Sequence, residues 1–214
     1  STLFGTQTPM DRLKLDSDGR SAVHRAVLQD NTQALDALLA PSRDPTDNTT
    51  TLQSILHADG AGWTPLHSAA SANKPEAVQA LLNSRADPHA QNLAGCQPLH
   101  YAASKGHRTC TALLLGARAS PGACDKTGAT PLHRAAARGH VGVLAMLVEA
   151  CSSSELETRE RSSGCTPILL AAAEGHEAAV VSLAEAGCCI DVCDASGTSL
   201  SSLLPERVWS QIAG

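Results

Sequence analysis

The amino-acid sequence predicts an all-α solenoid, in which helix-turn-helix units are joined by short turns or hairpin loops. The first observation is a four-residue motif that recurs 33 residues apart, as Thr64-Pro-Leu-His67, Gln97-Pro-Leu-His100 and Thr130-Pro-Leu-His133. The second is an apolar pair 17 residues after each start, as Leu81-Leu82, Leu114-Leu115 and Leu147-Val148. The third is a Gly-His step, at Gly106-His107, Gly139-His140 and Gly175-His176. Three markers in register at a fixed period indicate a repeat architecture.

Each motif residue has a local structural role in the repeat. Threonine is a favoured N-cap and proline is tolerated at the first helical position, so Thr-Pro predicts a helix start. The glycine of the Gly-His step predicts the end of that helix, since glycine readily adopts the left-handed cap conformation. A second, longer helix carries the apolar pair. A period of 33 residues with the pattern T-P-L-H-x-A is typical of ankyrin repeats.

The repeat register predicts a single domain that spans residues 1–214. Repeats begin near Ser21, Thr64, Gln97, Thr130 and Thr166, and a C-terminal cap begins at about Thr198. We expect residues 203–212 to form one shortened helix whose apolar side closes the stack. Residues 41–51 are rich in Pro, Asp and Thr and predict an extended loop, and residues 152–155 predict a polar bulge.

Composition and charge exclude several classes of function. The net charge is -5, and the 16 Lys and Arg residues form no basic run, so we expect no nucleic-acid partner. No apolar run approaches the length of a membrane span, and residues 1–10 lack the pattern of a secretory signal. The eight cysteines contain no C-x-x-C pair, so we interpret them as reduced core residues and expect neither a metal nor a cofactor.

The nine histidines do not indicate catalysis. Four of them, His24, His67, His100 and His133, occupy the fourth motif position, where we expect the imidazole to bond to backbone and brace adjacent repeats. The sequence contains no nucleophile elbow, catalytic triad order or phosphate-binding loop. We therefore predict a protein that is not an enzyme.

Residues that break the repeat predict where a partner binds. In this architecture, turn tips and the exposed side of the first helix line a concave groove. The partner-binding residues predicted from the register are Asp18, Arg20, Arg25, Trp63, Tyr101, Lys105, Lys126, Arg134 and Arg138, and Glu174 lies at an equivalent position. Trp and Tyr beside Arg are typical of protein interfaces, so we expect the groove to bind a partly acidic protein surface. The alternative is an ordinary solvated face.

Several stretches also resemble one group of ankyrin-repeat proteins, the gankyrin-like chaperones of proteasome regulatory-particle assembly. They are Ala61-Gly-Trp-Thr-Pro-Leu-His67, the run from Gly95 through Tyr101 to Lys105, and His133-Arg-Ala-Ala-Ala-Arg-Gly139. The resemblance implies binding of the C-terminal domain of a proteasome regulatory ATPase subunit on the concave face. It places family contacts on Arg20 and Arg138, which are basic, and on Asp18, which is acidic.

Two functional hypotheses remain open from the sequence. The first is the assembly chaperone that the resemblance implies, and the second is a generic ankyrin regulator that inhibits a kinase or a transcription factor. In either case we expect a monomer when free, with no membrane partner, in the cytoplasm and with the nucleus as a further location.

Overall fold

The fold is an all-α stack of helix pairs, which confirms the predicted fold class. The computed structural model describes residues 14–40 and 45–213, and within these ranges there is no β-strand beyond an isolated bridge between Cys193 and Ser199. The helices of the described residues are α1 Ala22–Leu28, α2 Thr32–Leu39, α3 Pro45–Leu56, α4 Pro65–Ser71, α5 Pro75–Asn83, α6 Pro98–Lys105, α7 Arg108–Gly116, α8 Pro131–Ala136, α9 Val141–Ala150, α10 Ser153–Leu156, α11 Pro167–Ala173, α12 Glu177–Glu185, α13 Leu200–Leu203 and α14 Glu206–Ala213.

The motif residues start the first helices as their chemistry predicts, whereas the glycine directly follows the last helical residue in the third repeat alone of the described part. Thr64, Thr130 and Thr166 are extended N-caps, and a proline is the first helical residue after each of them. Gly106 directly follows α6 with φ +73, in the left-handed region that favours glycine. Helices α8 and α11 instead end at Ala136 and Ala173, and Gly139 and Gly175 take the left-handed conformation a few residues later.

First helices pack on first helices along the stack, in the order α1, α4, α6, α8 and α11. Their Ala pairs, such as Ala102 with Ala103, are 0% exposed, which lets neighbouring backbones approach closely. Second helices pack in the same way, and their apolar pairs contribute Leu81, Leu114 and Leu147, all 0% exposed. The core is thus a series of thin apolar layers that no single repeat can bury alone.

The motif histidines brace the stack, as the sequence predicts. In each, Nδ1 accepts the backbone N–H of the residue three before it, so the ring proton lies on Nε2. That Nε2 donates to a carbonyl of the next repeat, at 2.8 Å from His24 to Trp63, 2.9 Å from His67 to Cys96, 3.2 Å from His100 to Ala129 and 3.1 Å from His133 to Cys165. Burial lowers the pKa of all four rings, and that of His100 falls to about 4. The neutral imidazole is therefore the form that holds adjacent repeats together.

The histidines of the Gly-His step reach in the opposite direction. His107, His140 and His176 bond through Nε2 to carbonyls of the preceding repeat, at 3.2, 3.1 and 3.2 Å. Neighbouring repeats in the centre of the stack are thus joined by imidazoles from both sides.

Between repeats the chain forms tight turns, which we call fingers 1 to 6. They comprise residues 16–20, 59–63, 92–96, 125–129, 160–165 and 194–198. In fingers 2 to 6, the second residue donates its N–H to a carbonyl of the preceding finger, at 3.2, 3.1, 3.0, 2.8 and 3.0 Å in order along the chain. These bonds form a continuous row, so each finger is positioned by its neighbour.

The prediction of an extended loop at residues 41–51 is wrong over its described part. Helix α3 begins at Pro45, and proline at the first helical position is a helix-start signal that the prediction did not use. Ile55 of this helix is 1% exposed, and α3 contacts both α1 and α4. Burial of an apolar side chain against the stack thus stabilises a helix in a segment whose composition favours turns. Residues 41–44 lie outside the described part of the chain.

Two smaller predictions also differ from the structure. The predicted polar bulge is the short helix α10, in which Leu156 is buried and Glu155 accepts the N–H of Ser152 at 2.6 Å. The predicted single C-terminal helix is divided into α13 and α14, because Pro205 disfavours helical backbone at Leu204. The predicted apolar side still packs against the core through Leu203, Leu204, Val208, Trp209 and Ile212.

Candidate protein-binding face

The predicted partner-binding residues lie on the fingers and the first helices, which together we call the finger face. Asp18, Arg20, Trp63 and Lys126 belong to fingers 1, 2 and 4. Arg25, Tyr101, Lys105 and Arg134 lie in α1, α6 and α8, while Arg138 and Glu174 follow the ends of α8 and α11. Their surroundings differ. Most of them fall into three groups along the stack, and Arg134 and Glu174 lie outside these groups.

The first group is engaged within the chain at the N-terminal end of the face. Arg20 forms ion pairs with Asp18 at 2.9 Å and with Asp59 at 3.7 Å. Arg25 donates to the carbonyls of Arg20 at 2.9 Å and of Lys14 at 3.2 Å. Both guanidinium groups therefore hold finger 1 in place, and the charge of Arg20 is largely compensated.

Beside this group is an open notch of about 390 Å³. Its lining combines Arg20 and Asp59 with the apolar side chains of Leu28, Trp63 and Ala72. Leu28 is 45% exposed although it is large and apolar. The notch can thus accept an apolar side chain of a partner.

The second group is an aromatic pair at the base of fingers 2 and 3. The rings of Trp63 and Tyr101 have centroids 4.3 Å apart, and Trp63 lies 5.9 Å from His67. The amide of Asn92 donates to the Tyr101 hydroxyl at 2.6 Å. Burial raises the pKa of Tyr101, which keeps the hydroxyl neutral. These contacts fix half-buried rings in a rigid arrangement, which is the arrangement that interface anchors need.

Arg134 is paired inside the chain. Its guanidinium bonds to the carboxylate of Asp125, whose side chain is 1% exposed. Asp125 also accepts bonds from Thr127 and from the N–H of Ala129. Burial raises the pKa of Asp125, but the hydrogen bonds from Thr127 and Arg134 outweigh it and lower the pKa to about 2. Arg134 therefore compensates a buried charge and orders finger 4.

The third group consists of four cations that form no ion pair with another described residue. We call Lys105, Lys126, Arg138 and Arg161 the basic strip, and all four are exposed. Lys105 and Arg138 border one depression of about 380 Å³ together with Ser104 and His140. Arg161 lies next to Lys126, to whose carbonyl it donates at 3.5 Å. Uncompensated cations on one face of a chain with net charge -5 create a local positive potential.

Three residues of this face are not among the partner-binding residues that the sequence predicts. Leu28 and Leu93 are large apolar side chains, 45% and 65% exposed, and Arg161 belongs to the basic strip. Leu93, Lys126 and Arg161 all occupy the second position of a finger, so the register could have identified them together. The three-residue insertion before Thr166 obscured the register at Arg161.

Metal-ligand clusters and membrane-spanning helices are both absent from the described residues. Within them, no group of three or more His, Cys, Asp or Glu side chains is placed to hold a metal ion. None of the helices in the described ranges is long and apolar enough to cross a bilayer.

A scan against protein-family models matches the family described as ankyrin repeats (3 copies), over residues 46–123 and 99–194. The matched ranges together cover most of the chain, and they contain fingers 2 to 5 and their helix pairs. Ankyrin repeats are scaffolds for protein–protein interaction. This chain therefore belongs to the ankyrin-repeat family and presents a repeat scaffold for binding other proteins.

Proposed function

We propose that the chain binds an acidic protein surface through its finger face, as a non-catalytic chaperone of proteasome regulatory-particle assembly. The observation that carries the first part is the basic strip. Four exposed cations that form no ion pair with any residue of the ranges 14–40 and 45–213 stand on one face, although the chain as a whole is acidic. Such a charge pattern favours encounter with an acidic partner and fixes its register.

The aromatic pair and the exposed leucines supply the apolar part of the binding surface. Trp63 and Tyr101 are held in place before any partner arrives, so they lose little freedom on binding. Leu28 is exposed and lines the same notch as Trp63. Leu93 is exposed in finger 3. Interfaces commonly combine buried aromatic anchors with a charged rim, and the finger face contains both parts.

The proposed partner is the C-terminal domain of a proteasomal ATPase subunit. This part of the proposal rests on the resemblance of Trp63, of Tyr101 with Lys105, and of Arg134 to the gankyrin-like proteins. The two basic contacts that the resemblance implies are unequal here. Arg138 is free of intramolecular ion pairs among the described residues, whereas Arg20 is compensated by Asp18 and Asp59. We therefore expect Arg138 to contribute more to binding than Arg20.

The test is calorimetric titration of the purified ATPase C-terminal domain with the wild type and a double charge reversal. Lys105→Glu with Arg138→Glu is expected to weaken binding by about 2 kcal/mol or more, because two attractions become repulsions. The loss should shrink at higher salt, since exposed charges are screened. The matched control is Arg108→Glu with Arg118→Glu, which makes the same charge change in and just after the second helix α7.

Each outcome separates one part of the proposal from the other. A wild type that does not bind the ATPase domain contradicts the partner assignment. A control pair that weakens binding as much as the test pair contradicts the assignment of the binding face, because the effect is then one of net charge alone.

A further inference from the structure

Finger 5 differs from the other fingers in length and in its polar groups. It has six residues, from Glu160 to Cys165, where the others have five. Of its two serines, Ser163 is used within the finger, since its hydroxyl donates to Glu160 at 2.9 Å and accepts the N–H of Cys165 at 3.2 Å. The hydroxyl of Ser162 is exposed and has no hydrogen-bond partner among the described residues. The longer finger therefore presents one free hydroxyl at its tip.

Three cations are near Ser162 in the sequence or in the adjacent finger. Arg159 and Arg161 lie three and one residues before Ser162, and Lys126 lies in the adjacent finger. The Arg159 guanidinium donates to the carbonyls of Gly164 at 2.7 Å and Cys193 at 2.6 Å. The acidic group of the same finger, Glu160, accepts the Ser163 hydroxyl. The local charge around Ser162 is thus positive.

We propose that Ser162 is a phosphorylation site for an arginine-directed protein kinase, and that its phosphate lowers the affinity of the finger face for acidic proteins. A kinase whose substrate groove is acidic complements Arg159 and Arg161. Kinases bind an extended segment, so finger 5 must open locally. Opening replaces the carbonyl contacts of the exposed Arg159 and the backbone bond of Arg161 to Thr127 by bonds to water, and such local opening costs less than global unfolding.

Other residues with an arginine three positions earlier are less suited. Thr111 follows Arg108 at this spacing but is 0% exposed. Ser210 follows Arg207 but lies inside helix α14, where the backbone is held in helical conformation. Among the described residues with this spacing, only Ser162 is both exposed and outside a helix.

In the transfer step, the Ser162 Oγ attacks the γ-phosphorus of ATP bound to Mg²⁺. The new O–P bond forms as the bond to ADP breaks, and the hydroxyl proton passes to the kinase base and then to solvent. The product carries a charge of about -2 at neutral pH. This charge is added directly after Arg161 in finger 5, and its size is about half of the four positive charges of the basic strip. The loss of affinity for a proteasomal ATPase rests on the proposed function, whereas the modification does not.

The first experiment measures phosphate incorporation from ATP by a purified kinase that selects arginine three residues before serine. Peptide mapping should place the phosphate on Ser162, and Ser162→Ala should abolish incorporation. Ser163→Ala is the matched control and should retain it, while Arg159→Gln should slow it about ten-fold or more. Absence of incorporation into the wild type, mapping to another residue, or unchanged incorporation into Ser162→Ala overturns the proposal. Unchanged melting temperatures exclude an effect through folding.

The second experiment compares the phosphorylated and unmodified proteins for binding of a labelled oligoglutamate peptide at low salt. Phosphorylation should weaken binding about ten-fold or more. Equal binding by the two forms, or no binding by the unmodified form, overturns the proposed effect on affinity. Failure of the unmodified protein to bind the ATPase domain contradicts the proposed function alone, because neither the phosphate mapping nor the peptide titration depends on that partner.

Discussion

Replacement of Leu114 by alanine tests the layered core at its centre. Leu114 lies in α7, is 0% exposed and packs between the second helices of the repeats on either side. The change removes three carbons, which at about 0.8 kcal/mol each account for roughly 2.4 kcal/mol of lost transfer free energy. The cavity left behind adds to this, because a close-packed layer relaxes only in part. We expect the free energy of unfolding to fall by about 3–5 kcal/mol.

The assay is urea unfolding followed by far-ultraviolet circular dichroism, with the slope of the transition checked for a two-state change. Leu93→Ala is the control, since Leu93 is 65% exposed and should change stability by no more than about 0.5 kcal/mol. Equal effects of the two substitutions would refute the assignment of Leu114 to the core. So would a loss below about 0.5 kcal/mol at Leu114 itself.

Two further predictions follow from the fingers and the histidines. Gly62→Ala should lower the free energy of unfolding in urea by more than about 1 kcal/mol, because φ is +78 and the new Cβ would lie 2.8 Å from the Leu93 nitrogen. Gly116 is the last residue of α7 and has open space around it, so Gly116→Ala should instead stabilise by about 0.5–1 kcal/mol. If both substitutions destabilise equally, the finger geometry is wrong. The pKa of His100 falls from 6.5 to about 4 on folding, so between these values the ring is protonated in the unfolded chain and neutral in the folded one. Through this ring alone, the free energy of unfolding should fall by about 2 kcal/mol as pH falls from about 7 to about 5. His100→Asn should remove that part of the pH dependence and the exposed His89→Asn should not; parallel pH profiles for wild type and His100→Asn would contradict the assignment.

Most of the fold can be predicted from the repeat period alone. Thr64, Pro65 and His67 each act through local geometry, as cap, first helical residue and brace, so their spacing alone predicts their structure. Helix α3 could not be predicted in this way. Its helical state depends on burial of Ile55 against α1 and α4, which is a contact between distant parts of the chain.

The sequence predicts which residues lie on the candidate face, but it does not predict which of their charges are paired within the chain. The register placed Arg134 and Arg138 on the same face, but it does not distinguish a free cation from a paired one. Arg134 binds the buried carboxylate of Asp125, which lies nine residues earlier at the start of finger 4, whereas Arg138 has no ion-pair partner in the described part of the chain. The difference depends on side-chain directions at the base of finger 4, which spacing does not encode.

The forward-reaching histidines have a consequence for how such a chain can change. Each donates to a main-chain oxygen directly after a finger glycine, so the bond survives any side chain at that position, and here the position holds Trp63, Cys96, Ala129 and Cys165 in turn. At Trp63, the one of these four positions that is not buried, a mutation can alter what the surface recognises while the carbonyl that accepts the bond remains. A duplicated or deleted unit likewise meets the same oxygen at the same place. In the fifth unit the buried Leu169 stands where the ring would be, so this position supplies no imidazole bond to finger 6. Because the acceptor of each joint is a main-chain atom, repeats can be added or removed, and the residue at Trp63 can change, while the bond between adjacent repeats is kept.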